Sequence, residues 1–185
     1  MSYRYEIRLS GEGGQGLVLA GKILAEAAAI YDNKNATQSQ SYGPEARGGA
    51  SRSEVIISDE EIDYPKAMNI DFLLALTQEA CNRYSKDLKD DGILLVDSDA
   101  VKSCPSLKAN IYRVPIIELA RDKVGRVMVA NIVALGIINE ITHIVSMDAL
   151  EAAVLSRVPK GTEEMNLKAL KVGREQGKKL INESK

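Results

Sequence analysis

The 185-residue sequence predicts a single α/β domain of three layers over residues 1–185, with a mixed, mostly parallel sheet and helices on both faces. Three observations carry that expectation. Strand-length and helix-length segments alternate along the chain. Ile70 to Leu76 and Gly92 to Asp97 are almost continuously apolar, the pattern of central parallel strands covered on both faces. Gly11-Glu12-Gly13-Gly14-Gln15-Gly16 stands between a strand-like and a helix-like segment, the setting of a Rossmann-like glycine turn after the first strand. With 45% hydrophobic and 27% charged residues, the chain can bury one full core.

Taken in order, Tyr3, Tyr5, Ile7 and Leu9 alternate with Arg4, Glu6 and Arg8, the period of a strand with one polar face. After the glycine turn, Leu17 to Ile30 reads as a helix that is apolar nearly all round. Lys22 and Glu26 sit four apart on the face that meets water. Ala36 to Gln40 is a polar strand candidate. Residues 41–51, with three glycines and a proline, form a shaped loop, and Ser53 to Ser58 is the next strand. Only a loop joins these two strands, so they need not be parallel. An acidic connection, Asp59 to Pro65, leads to the strand Ile70 to Leu76, the helix Gln78 to Leu88 and the strand Gly92 to Asp97. Asp59 to Asp63 and Asp87 to Asp91 read as solvated turns.

Ile111 to Val114 is a short strand, followed after Pro115 by a helix from Ile116 to about Lys123. Val129 to Thr142 is a very apolar helix with Asn131 and Asn139 as polar exceptions. Met147 to Arg157 and Glu163 to Asn182 complete the helices. In the last one, Ala169, Gly173 and Gly177 form a stripe. Glycine costs a helix about 1 kcal/mol relative to alanine. Two on one face imply close approach of another backbone, within the chain or across a subunit contact.

Composition narrows the function. A net charge of −2 gives no support to nucleic-acid binding. The two cysteines, Cys81 and Cys104, are far apart in sequence and outside any C-x-x-C pattern. This chain alone therefore cannot build an iron–sulfur cluster or a cysteine zinc site, and ordinary thiols in a reducing compartment are expected. Charges recur from Met1 to Leu9, unlike a signal peptide, and the apolar run Val127 to Ile138 is too short for a membrane span. A cytoplasmic protein without membrane contact is the expectation. The single histidine, His143, has no nucleophile or carboxylate at triad spacing, so no catalytic residue and no metal ligand is assigned.

The candidate binding residues fall in two loops. Gly11, Glu12, Gly13, Gly14, Gln15 and Gly16 form a turn that permits close backbone approach and opens a helix N-terminus toward an anion, which suits a phosphate-bearing ligand. A turn that merely packs would look the same. An ordinary NAD site is disfavoured by the polar face of the first strand and by the polar stretch after Asp32, where an acidic residue should end a second strand. The second loop offers Tyr42, Gly43, Arg47 and Arg52 beside Gln38, Ser41 and Glu45. Arginine forks there suit carboxylate or phosphate, or simply pair with neighbouring acids.

Together these loops resemble a known family. The first, with its continuation Ala20-Gly21-Lys22 and Leu24 to Ala28, resembles the gamma subunit of the 2-oxoacid:ferredoxin oxidoreductases. Gln40 to Val55 resembles it more specifically, and Asn131 to Gly136 is similar to its later helix motif, so the likeness covers essentially the whole chain. Tyr42 and Ala46, where the pyruvate branch carries phenylalanine and arginine, make the 2-oxoglutarate branch the nearer resemblance. The resemblance implies a multisubunit enzyme that decarboxylates a 2-oxoacid, reduces ferredoxin and forms an acyl-coenzyme A. It implies thiamine diphosphate and iron–sulfur clusters on partner subunits of alpha, beta and delta type. For this chain it implies assembly and part of the coenzyme A site, with coenzyme A as substrate. Self-association of the isolated chain is compatible with it. Other readings are a gamma subunit of a pyruvate or other 2-oxoacid enzyme, a stand-alone Rossmann-type nucleotide-binding oxidoreductase, and a purely structural subunit.

Overall fold

A computed structural model describes residues 3–41 and 50–184. Six strands form one sheet in the order β2-β3-β1-β4-β5-β6. They are β1 (Arg4–Glu12), β2 (Asn35–Ser41), β3 (Ala50–Ser58), β4 (Ile70–Ala75), β5 (Leu88–Asp97) and β6 (Asn110–Val114). The helices are α1 (Leu17–Glu26), α2 (Gln78–Tyr84), α3 (Ile116–Leu119), α4 (Ala130–Thr142), α5 (Met147–Arg157) and α6 (Glu163–Glu183). β1, β4, β5 and β6 run parallel, whereas β3 pairs antiparallel with both β1 and β2. The sheet is therefore mixed with a parallel majority, as expected, and the strands on either side of residues 42–49 form an antiparallel pair.

One face of the sheet, carrying Ile7, Leu9, Val55, Ile57, Phe72 and Leu74, packs against α1, α4, α5 and α6. The other carries Ile56, Leu73, Leu94 and Val96 and meets α2 through Ala80, Cys81 and Tyr84. The chain leaves β1 toward the first face and β4 toward the second. These neighbouring parallel strands thus flank a topological switch point, the place where open α/β sheets bind ligands beyond the strands' carboxyl ends.

Two expected helices are longer than their α-helical parts. α1 passes into a π-helical turn, Ala27–Tyr31, with Asp32 N donating to Ala27 O. α3 does the same over Ala120–Val124, closed by Gly125 at φ 93°.

The structure corrects two expectations. The polar face of β1 is not open to water, because Glu6 and Arg8 are buried. Glu6 accepts from Met68 N, Asn69 N and Arg4 Nε, and Arg8 is held by Glu54 and Asp87. Buried charges persist only when paired in this way. Asp87 to Asp91 is not a turn, although Asp90 and Asp91 are exposed as expected. Residues from Leu88 onward belong to β5, and Asp87 Oδ2 lies 2.5 Å from Arg8 Nη1.

The structure also decides between the two readings of the stripe Ala169, Gly173 and Gly177, which faces α4 within the chain. A Cβ on Gly173 would lie 2.0 Å from Val133 O, and one on Gly136 of α4 would lie 2.4 Å from Leu170 O. The stripe lets two backbones touch inside the domain. α4 itself is buried from Ala130 to Asn139.

Candidate functional site

The glycine turn is built from both ends. Gly14 and Gly16 adopt φ of 91° and 73°, a left-handed conformation that glycine enters without steric cost. Gln15 folds back so that its Oε1 accepts from Glu12 N at 2.7 Å, and a Cβ on Gly11 would collide with that oxygen at 2.2 Å. Gly16 is the N-cap of α1, and its carbonyl accepts from Asn131 Nδ2 at 3.0 Å. The side chain that interrupts the apolar α4 thus ties that helix to the turn. No described residue comes within 4 Å of a Cβ placed on Gly13 or Gly14. Among the described residues, then, nothing crowds the tip of the turn.

A crevice of about 170 Å³ opens at the switch point, lined by Gly11, Glu12, Ala50, Thr77 and Glu79. Thr77 belongs there because its side chain caps α2, accepting from Ala80 N, and Glu79 Oε1 accepts from Ala50 N at 3.4 Å. Thr77 and Glu79 were not singled out from the sequence. The available signal was a capping threonine directly after the almost continuously apolar segment Ile70 to Leu76, at the strand end where α/β sheets take ligands.

Arg52 lies two residues along β3 from Ala50, on the α2 side of the sheet. Its guanidinium sits 5.5 Å from the centre of the Tyr84 ring, and Nε is 3.6 Å from Glu54 Oε1. Arg8 and Arg83 approach the same ring at 5.3 and 5.7 Å, so Tyr84 gathers three cations beneath the crevice. Tyr84 also donates its hydroxyl to Ala50 O. Of the second loop, Tyr42, Gly43 and Arg47 lie outside the described residues. The structure brings the Gly11–Gly16 turn and Arg52 to one end of the sheet.

A larger hollow, about 420 Å³, lies at the far ends of α1 and α4 around His143. Its charges are engaged in the fold: Lys34 donates to Ile144 O, Asp32 accepts from Ser146, and Arg174 pairs with Glu140. His143 is the exposed left-handed C-cap of α4, which accounts for it without catalysis. Among the described residues, no group of three or more His, Cys, Asp or Glu side chains is placed to hold a metal ion, and no helix is long and apolar enough to cross a membrane.

Comparison with known proteins agrees with this architecture. The family profile described as pyruvate ferredoxin/flavodoxin oxidoreductase matches residues 6–176. A 2-oxoglutarate synthase subunit, KorC, of Methanocaldococcus jannaschii is 52% identical over 179 residues, covering 96% of both chains. The pyruvate synthase subunit PorC of Methanothermobacter marburgensis is 31% identical over 177 residues, covering 94% of this chain and 97% of its own. Among solved structures, a keto/oxoacid ferredoxin oxidoreductase gamma subunit from Geobacter sulfurreducens PCA superimposes with a TM-score of 0.88 at 58% identity, over 95% of this chain and 97% of that one. The turn, the mixed sheet and the end-to-end likeness lead to one assignment: the chain belongs to the pyruvate ferredoxin/flavodoxin oxidoreductase family, as a chain of its gamma-subunit type.

Proposed function

We propose that this chain is the gamma subunit of a 2-oxoglutarate:ferredoxin oxidoreductase, a complex that converts the 2-oxoacid to its acyl-coenzyme A with loss of carbon dioxide and reduction of ferredoxin. The observation that carries this reading is the likeness along the whole chain to a 2-oxoglutarate synthase subunit at 52% identity, against 31% for the pyruvate synthase subunit. The chain supplies assembly and one wall of the coenzyme A site in the cytoplasm. Its partners are subunits of alpha, beta and delta type, and ferredoxin is met through the complex. Thiamine diphosphate and the iron–sulfur clusters belong to those partners. The donor set here does not suit a cluster, since two thiols are half of the four that a cluster takes.

Coenzyme A is a substrate with a phosphate-bearing end, and the glycine turn supplies what such an end needs. Gly13 and Gly14 allow close backbone approach, and the first turn of α1 presents N–H groups toward negative charge. Glu12 and Glu79 make the crevice rim acidic, so the phosphates approach on the α1 side. We take Arg47 of the second loop as the source of compensating charge, whereas Arg52, on the α2 side of the sheet, stays with Glu54 and the Tyr84 ring. Gln15, already bonded to Glu12 N, holds the turn in shape before the ligand arrives.

The test uses the assembled complex. Reduction of ferredoxin should depend on 2-oxoglutarate and coenzyme A, and a faster rate with pyruvate would overturn the substrate assignment. A hydrogen bond to a charged group is worth about 1.5–3 kcal/mol. Arg47→Ala should therefore raise the apparent coenzyme A requirement by roughly one to two orders of magnitude, with little change for the 2-oxoacid. If coenzyme A dependence is unchanged while oxoacid dependence collapses, Arg47 serves the substrate carboxylate instead.

A further inference from the structure

We propose that Cys81 and Cys104, distant in the sequence, form a thiol oxidation site in which Cys104 is the attacking sulfur and Cys81 the resolving one. Three features of the fold bring them together. Gln78, one helical turn before Cys81 on α2, accepts from Lys102 N and Ser103 N at 2.8 and 3.2 Å and donates to Ser103 O at 2.8 Å. That clamp lays the segment after β5 along the helix, and the next residue is Cys104. Cys104 packs against the apolar cluster that contains Cys81, near enough for its sulfur to disfavour ionisation of the Cys81 thiol. Arg113, anchored through Nη2 to Val101 O, turns Nη1 to Cys104 Sγ at 3.5 Å.

The two thiols differ in ways that assign their roles. Cys104 is half-buried and has the guanidinium beside its sulfur, so it is the one an incoming reagent meets. Cys81 is fully buried. Its burial first, and then the neighbouring Cys104, push its thiol up to about 12, against the opposing effect of the Arg113 charge. It stays protonated until an activated sulfur is next to it. An accessible thiol beside a shielded partner is the arrangement of a reversible redox site.

The oxidant is a low-molecular-weight disulfide. Cys104 loses its proton and attacks one sulfur, breaking the S–S bond of the reagent, forming a mixed disulfide and releasing one thiolate, which takes a proton. Cys81 then gives up its proton and attacks Cys104 Sγ, forming the Cys81–Cys104 bond and expelling the second thiolate, which is protonated in turn. Two protein thiols are oxidised and one small disulfide is reduced to two thiols. The new link lies on the back of α2, whose Thr77 and Glu79 wall the crevice.

The full chain, incubated with oxidised glutathione and quenched by alkylation, provides the test by peptide mass mapping. Wild type should end with Cys81 and Cys104 joined and no glutathione retained, and dithiothreitol should restore both thiols. Cys81→Ser should keep one glutathione on Cys104, and Cys104→Ser should react roughly tenfold more slowly or less still. Glutathione that persists on the wild-type chain, a disulfide between two chains, or equal reactivity of the two variants would each overturn the proposal.

Discussion

On the side covered by α1, α4, α5 and α6, the sheet presents Ile7, Leu9, Val55 and Ile57, and the layers meet through apolar contact and glycine-assisted backbone approach. On the α2 side the same two strands present Glu6, Arg8, Arg52 and Glu54, closed by ion pairs and by the Tyr84 ring. The first side is specified by shape and the second by charge. A seven-residue helix such as α2 brings too little apolar surface to cover its side alone, and paired side chains fill what it leaves. The candidate crevice sits where the two regimes meet, with the turn held from the first side by Asn131 and its floor held from the second by Tyr84.

The strongest way to break this contrast is to remove a charge from the second side. Arg8 is buried with Nε and Nη2 both 2.7 Å from Glu54 Oε1. Arg8→Met leaves Glu54 only its longer contact to Arg52 and takes away the partner of Asp87, a loss of up to about 3–5 kcal/mol by denaturant unfolding. Removing both partners, as Arg8→Met with Glu54→Leu, should cost less than Arg8→Met alone. If the two losses simply add, the pair does not close that side.

On the first side, shape should dominate. Alanine at Gly173 would gain helix propensity but drive its Cβ against Val133 O, where a rigid backbone cannot yield. Gly173→Ala is expected to destabilise by about 1–3 kcal/mol, and Gly136→Ala similarly. Unchanged stability with altered assembly would return the stripe to a subunit contact. The turn is intermediate between these cases. Gly14 has open surroundings but a φ of 91°. Gly14→Ala should therefore cost about 1–2 kcal/mol from backbone strain alone, and Gly13→Ala clearly less. Equal losses at both would show that crowding, and not conformation, selects glycine there.

These cases explain what was legible. Hydrophobic patterning located the six strands and the helices, because burial of one face imposes a period on the residues that make it and burial of both faces leaves an unbroken apolar run. It also placed the glycine turn, since strand, glycine cluster and helix occur there in sequence. Partners distant in the chain were not legible. Arg8 meets Glu54 and Asp87, Gly173 meets Val133, and Cys104 reaches the cluster around Cys81, all set by strand order and helix docking. A polar alternation on β1 looks identical whether water or ion pairs satisfy it, so polarity alone does not reveal that Glu6 and Arg8 are buried. Thr77 and Glu79 escaped notice for the same reason, because the crevice exists only once β4 lies beside β1.

The smallest expected effect lies at the edge of the first side, where α1 and α5 are joined by charge instead of shape. Glu26 was expected to face water beside Lys22. It instead accepts from Ser156 Oγ at 2.5 Å and pairs with Arg157. Burial pushes its carboxyl up, but the bonds from Ser156 and Arg157 and the Arg157 charge together hold it below the ordinary carboxylate value of 4.5. A folded-state value below the unfolded one means that the interaction stabilises fully above the unfolded value and is lost as pH falls through the folded one. Glu26→Gln should thus be less stable than wild type near pH 7 by under about 1 kcal/mol, the range for a pair whose arginine is solvated. That gap should close as the solution is acidified below 4.5, a window fixed by the lowered carboxyl. Thermal melts of the two proteins across this range provide the measurement. A gap that stays constant into acid would assign the Glu26 contribution to packing, extending the dry regime of the first side to its rim.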